Sequence, residues 1–271
     1  MPAASQSVVP IRGSVDAVVS VRHITDRLPA CLEALRGYLP PDATITIADA
    51  PPGSPREERH AEIARMAREA KARVVVNGHG QWECRNRAAA QGYAPVVVFL
   101  DGDCCLMPDA WAALTAVLER EQVGIVGGLV LWEEGLAPRE LPLLPSVKVA
   151  GYAFGARRLP YARFVGWLPD NPKLYARDDL QAVSSAFMAT RRALWRSLQG
   201  FSPDYGSRPL SDVDYCLRAR NQGVIVAFEP AAVAMAGGEP MSDDLRSLQE
   251  AASIFQARLG PLAQYDEFSL L

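Results

Sequence analysis

Short apolar runs rich in valine and isoleucine return five times in the first half of this chain, at residues 17–21, 44–48, 74–76, 96–100 and 124–131, and helical patterns fill the gaps. Connections of that kind are crossovers rather than hairpin turns. The pattern therefore predicts an α/β protein with a mixed, mostly parallel sheet and helices on both faces. Leu28, Cys31, Leu32 and Leu35 recur at helical spacing, and Gly37 is expected to stop that helix. A second helix is expected from about residue 57 to 71, with acids at its start and Ile63, Met66 and Ala70 on one face. A third follows Pro108, with Trp111, Leu114, Val117 and Leu118 facing inward.

From residue 133 to 179 the periodicity gives way to prolines, glycines and clusters of aromatic and basic residues. A stretch of this length inside a folded chain is usually functional or mobile. Regular patterns resume with an apolar run at 182–189, a helix from Arg191 closed by Gly200, a helix over 210–222, a strand at 224–228 and a last helix after Ser242.

The 271 residues, 49% of them hydrophobic, suffice for one large α/β domain or two small ones. A net charge of −3 and a pI near 5.7 provide no basic field, so nucleic acid is not expected as the main partner. Cysteines 31, 84, 104, 105 and 216 show no zinc-type pairing and read as reduced thiols of a cytoplasmic protein. No charged n-region precedes an apolar stretch at the N-terminus, and the most apolar segment, 123–132, is too short to span a bilayer. At most peripheral membrane contact is expected.

The run at 96–100 ends in Asp101-Gly102-Asp103, which puts two carboxylates where a buried strand should surface. One-residue spacing aims both toward one hard cation, and Gly102 leaves room for a ligand close to the backbone. Aspartate and glycine are equally ordinary turn residues, so the triplet alone leaves a solvated turn open.

Ordered landmarks beyond the triplet resemble a nucleotide-sugar glycosyltransferase of family 2 with the GT-A fold, over roughly residues 15 to 240. Ala17-Val18-Val19-Ser20-Val21 followed by Leu32-Glu33-Ala34-Leu35 is similar to the family's opening strand and helix, and Thr46-Ile47-Ala48-Asp49 to its second strand. Arg85-Asn86 resembles the Arg-Asn helix before the metal motif, and Val98 to Asp103 followed by Pro108-Asp109 resembles that motif and its trailing Pro-Asp. Ser185 to Leu194, Gly200-Phe201, Ser211-Asp212-Val213-Asp214, Gly223 and Pro230-Ala231 follow the order of the acceptor half.

What the resemblance implies is a single domain, with a nucleotide half over about 1–131, an acceptor half over 132–240 and a C-terminal helix and tail over 241–271. Its activity would be transfer of a sugar, with inversion, from a nucleotide diphosphate donor to an acceptor glycan, lipid-linked sugar, peptide or small molecule. Asp101 and Asp103 would hold Mn²⁺ or Mg²⁺, whose preference for oxygen these acids meet. Asp49 and Arg85, with Gly102, would join them in binding the donor. Asp212 would be the general base. Ser185, Trp167 and Ser211 would stand on the acceptor side. Simpler roles stay open beside these: Asp49 as a loop-initiating residue, Arg85 as an acid's partner, and Ser211 to Asp214 as a capping box.

The chain also departs from the family pattern. Ser211 stands where members often carry Glu, and residues 234–238 lack the histidine that many use to complete metal coordination. A non-catalytic nucleotide-sugar-binding or scaffold subunit is therefore the rival reading. A sugar-1-phosphate nucleotidyltransferase fits less well, because Ser20-Val21-Arg22-His23-Ile24 is a poor phosphate loop.

Overall fold

Four of the apolar runs form neighbouring parallel strands: β1 (Val15–Val21), β2 (Thr44–Asp49), β3 (Arg73–Val76) and β4 (Val96–Asp101), in the spatial order β3-β2-β1-β4. The computed structural model describes residues 14–22, 27–50, 57–76, 80–134, 145–237 and 245–266. β1 is buried at all seven positions because helices cover both sheet faces. Strict alternation decides which core each residue joins. Val96, Val98 and Leu100 pack on one face with the helices α1 (Leu28–Tyr38), α2 (Glu57–Glu69) and α4 (Ala110–Leu118). Val97 and Phe99 pack on the other with α3 (Gln81–Ala90).

Gly37 does not end α1. The helix runs to Tyr38, and Leu39 turns extended (ψ 161°) because Pro40 behind it excludes the α conformation. The helix expected to reach residue 71 closes at Glu69.

After β5 (Cys104–Leu106) and α4 comes β6 (Val123–Trp132), buried at all ten positions. Its glycines are packing residues. A Cβ on Gly127 would lie 2.4 Å from Val183 Cβ, and one on Gly128 would lie 2.3 Å from a ring carbon of Phe187. The irregular stretch that follows holds β7 (Ser146–Val149), paired with β6, a small hairpin of β8 (Tyr152–Phe154) and β9 (Pro160–Ala162), and a 3₁₀ turn at Pro172–Tyr175.

β10 (Phe187–Arg191) lies between β4 and β6, antiparallel to both, so the later part of the chain supplies a central strand. Behind it come the short helix α5 (Arg192–Ser197), then α6 (Ser211–Asn221), β11 (Ile225–Ala236) and α7 (Leu245–Leu259). β11 continues well past Phe228. It pairs with β6 through an irregularity between Glu229 and Val233, where Pro230 cannot donate to the ladder, and its end pairs with β5.

Candidate active site

Parallel pairing brings the C-terminal ends of β2, β1 and β4 to one edge of the sheet. Ser20 stands opposite Asp101, and Val21 opposite Asp49, so the two carboxylates flank β1 at the crevice where such sheets bind ligands. The Gly102 N–H donates to the Ser20 carbonyl at 2.9 Å. A Cβ at Gly102 would sit 3.1 Å from Val21 Cγ2 and 3.2 Å from that same carbonyl oxygen, so glycine permits the close turn.

Asp101 and Asp212 are joined by two intermediaries. Arg85, on α3, donates from Nη2 to Asp101 Oδ1 at 2.6 Å and from Nη1 to Ser185 Oγ at 2.8 Å. The Ser185 hydroxyl, which accepts from Arg85, donates to Asp212 Oδ2 at 3.2 Å, and the Ser185 N–H donates to the same oxygen at 2.9 Å. Asp212 Oδ1 accepts from the Val213 N–H at 2.9 Å. Asp212 and Arg85 are each only 4% exposed, and the Arg85 guanidinium lies 5.0 Å from the centre of the Trp82 ring. Burial raises the Asp212 carboxyl above its ordinary value. The Ser185 N–H, the Arg85 charge and the Val213 N–H pull it back without cancelling that rise.

The expected capping box is absent. α6 starts after Leu210, which is left-handed (φ 81°) and makes no side-chain cap. Ser211 is fully buried and donates its hydroxyl to the Ser202 carbonyl at 2.9 Å. Asp214 instead accepts from Arg218 at 2.5 Å and from Arg258 at 3.2 Å. The acids of the first turn are thus held partly within α6, by the Val213 N–H and Arg218, and partly by tertiary partners, Ser185 and Arg258.

Asp103 carries a partner that the sequence reading passed over. Lys148, on β7, donates from Nζ to Asp103 Oδ2 at 2.9 Å while lying 4.6 Å from the centre of the Trp132 ring. Burial lowers the Lys148 ammonium, but the Cys104, Asp103 and Asp101 acids raise it more, so the net direction is upward. On the other side the Gly237 N–H donates to the Asp103 carbonyl at 3.0 Å. Gly237 lies in the segment where the family's histidine is expected. A Cβ there would be 2.6 Å from Arg27 Nε, so the Arg27 guanidinium fills the space of a side chain at this position. Arg27 itself pairs with Glu133.

Oxygen donors suit a hard divalent ion, yet the surroundings of these two do not. Asp101 is committed to Arg85 and Asp103 to Lys148, and no group of three His, Cys, Asp or Glu side chains gathers among the described residues. As arranged, the residues do not fit a resident Mn²⁺ or Mg²⁺.

Asp49 is fully buried. Its Oδ1 accepts from Arg59 on α2 at 2.6 Å, and its Oδ2 lies 3.1 Å from His60 Nδ1, out of line for a hydrogen bond. That carboxylate oxygen and that ring nitrogen are both buried without a hydrogen-bond partner among the described residues. Trp167 stands apart from the Asp101–Asp212 chain. Its ring packs 4.9 Å from Phe164, and its carbonyl accepts from Val147, next to Lys148. Tyr152, noted in the sequence only as part of an aromatic-basic cluster, lies near the acids. Burial and the charges of Asp212 and Asp101 push its phenol up.

The family described as "Glycosyltransferase like family 2" matches residues 13–252. A sequence search of curated proteins found no match. Among solved structures, GalNAc-T7 with UDP, GalNAc and Mn²⁺ superposes with a TM-score of 0.67 at 14% identity, covering 91% of this chain and 49% of that one. The mannosyltransferase PcManGT from Pyrobaculum calidifontis, in complex with GDP-Man and Mn²⁺, gives 0.59 at 13%, covering 95% and 74%. TarS from S. aureus gives 0.58 at 13%, covering 95% and 41%. The chain thus spans about half the length of GalNAc-T7 and less of TarS. At such identities the likeness concerns the fold. Among the described residues, no helix is long and apolar enough to cross a membrane.

Proposed function

The chain belongs to the glycosyltransferase-like family 2, and from that premise we propose that it transfers a sugar from a nucleotide diphosphate donor to an acceptor hydroxyl, with inversion. The observation that carries this reading is the hydrogen-bonded chain Asp101–Arg85–Ser185–Asp212 at the open ends of the parallel strands. It ties an acid of the donor motif to a buried carboxylate whose raised affinity for a proton suits a general base.

In this reading the acceptor oxygen attacks the anomeric carbon as the bond from that carbon to the diphosphate breaks. The electron pair leaves with the diphosphate, and Asp212 takes the acceptor's proton. Ser185 and Arg85 keep Asp212 oriented. Asp49, with Arg59 and His60 around it, serves the nucleobase of the donor, and Trp167 offers a ring to the acceptor sugar. The nucleotide half (1–131) and acceptor half (132–240) contribute to one sheet, and the five free cysteines accord with work in the cytoplasm. Mn²⁺ or Mg²⁺ has no place in this reading while Asp103 holds Lys148 and Asp101 holds Arg85.

A thermal-shift screen of UDP, GDP and their sugars, followed by assay of donor hydrolysis, tests it. Stabilisation by a nucleotide sugar together with turnover that Asp212→Asn lowers supports transfer. Stabilisation without any turnover supports the binding-subunit reading, and absence of both sinks the assignment.

A further inference from the structure

A sugar-diphosphate donor needs positive charge where its bond breaks, because the leaving diphosphate gathers negative charge as it departs. In this chain two side-chain cations sit on the acidic motif, and a third, paired with Glu133, lies beside it at Gly237. Arg85 is on Asp101, Lys148 is on Asp103, and Arg27 fills the side-chain space at Gly237. We propose that Lys148 is the resident cation of this site, neutralising the donor's diphosphate so that donor binding requires no divalent metal ion. The proposal rests on the donor reading above and narrows it.

Geometry equips Lys148 for this task. An ammonium has three N–H donors, of which one goes to Asp103 Oδ2 at 2.9 Å, leaving others for phosphate oxygens. Asp103 on one side and the Trp132 ring on the other hold the flexible stem in one place. The Lys148 side chain keeps 21% of its surface open, and that of Asp103 keeps 19%, so the pair is sheltered but reachable. Its strand, β7, hydrogen-bonds to β6 beside Trp132 and is tied at Val147 to Gly166 and Trp167, which fixes the lysine to the sheet rather than to a loose loop.

Arg27 and Gly237 bear on the same point independently. A third metal ligand from the end of β11 would have to occupy the volume of the Arg27 guanidinium, and the residue there has no side chain. Asp103 therefore serves as the anchor of a lysine, and the positive charge near the diphosphate is covalently part of the protein.

Calorimetric titration of UDP and of GDP into the full chain, once in EDTA and once in excess Mn²⁺, tests the proposal. The parent should bind at least one of them with affinities agreeing within about twofold in the two buffers. Folded Lys148→Met should lose tenfold or more in EDTA, whereas Lys148→Arg should keep most of the affinity. Binding by the parent only with Mn²⁺ overturns the proposal and leaves the transferase reading standing. So does a folded Lys148→Met that binds in EDTA as the parent does. Should Lys148→Met not fold, the comparison of the parent in the two buffers decides alone. No binding of either nucleotide in either buffer would remove the transferase reading itself, and this proposal with it.

Discussion

Arg85 bridges two residues with one guanidinium: Nη2 lies 2.6 Å from Asp101 Oδ1, and Nη1 lies 2.8 Å from Ser185 Oγ and 3.3 Å from the Ser185 carbonyl oxygen. Only a planar fork spans both at once, and a lysine could satisfy one. Arg85→Ala should cost about 2–4 kcal/mol in chemical denaturation, below the top of the range for a broken buried pair because the Asp101 side chain is still 34% exposed. Arg85→Lys should recover part of the stability but little of the turnover. Full turnover in Arg85→Lys would show that the bridge to Ser185 is not needed.

Asp212→Asn is not a silent isostere here. Both carboxylate oxygens accept backbone N–H groups, from Ser185 and from Val213, so an amide must turn its NH₂ toward one of them. We expect a loss of about 1–3 kcal/mol from that unsatisfied donor. Transfer should fall by a factor on the order of 10² to 10⁴ as the base is lost. Equilibrium unfolding beside steady-state kinetics separates the two effects. A destabilised variant with parental turnover would confine Asp212 to a structural part.

The raised carboxyl of Asp212 fixes a sign for pH dependence. The folded chain keeps this proton where the unfolded chain, with an ordinary value of 3.8, has released it. This group's contribution to stability therefore declines as pH rises from 3.8 through the folded value, and is level above it. Transfer should rise across the same interval, because a base must be ionised. The acid limb of kcat/KM is expected above 3.8, and Arg85→Ala, which removes a charge that lowers it, should move the limb to higher pH. The same limb in the residual activity of Asp212→Asn would assign it to another group.

Asp49→Ala leaves Arg59 facing a buried space without its carboxylate. Thermal unfolding should drop by an amount equivalent to about 3 kcal/mol, and affinity for UDP or GDP should fall in calorimetry. Asp49→Asn, which keeps the shape, should restore much of the stability while nucleotide affinity stays reduced. Unchanged affinity in both variants would leave Asp49 as a purely structural anchor for α2.

Much of the architecture is written in short stretches of sequence. β1, β2 and β4 follow from apolar runs whose alternate residues enter the two cores, and burial of such runs is a local property of composition and period. Because those strands are parallel, Asp49 and Asp101 had to come to the same edge of the sheet at their C-terminal ends. Helix ends were less legible. Pro40, rather than Gly37, closes α1, because a steric exclusion outweighs a mere propensity.

What the sequence left open are the pairings between distant residues. Ser146-Val147-Lys148-Val149 shows buried valines on either side of a lysine, the ordinary look of a half-exposed strand, and nothing local relates Lys148 to an acid 45 residues earlier. Ser185 lies 100 residues from Arg85, and their contact exists only because β10 folds back between β4 and β6. Periodicity reports which face a residue turns inward, since that depends on its near neighbours. Charge pairing depends on which side chains meet across that face, and only the assembled sheet brought Arg85 to Asp101 and Lys148 to Asp103.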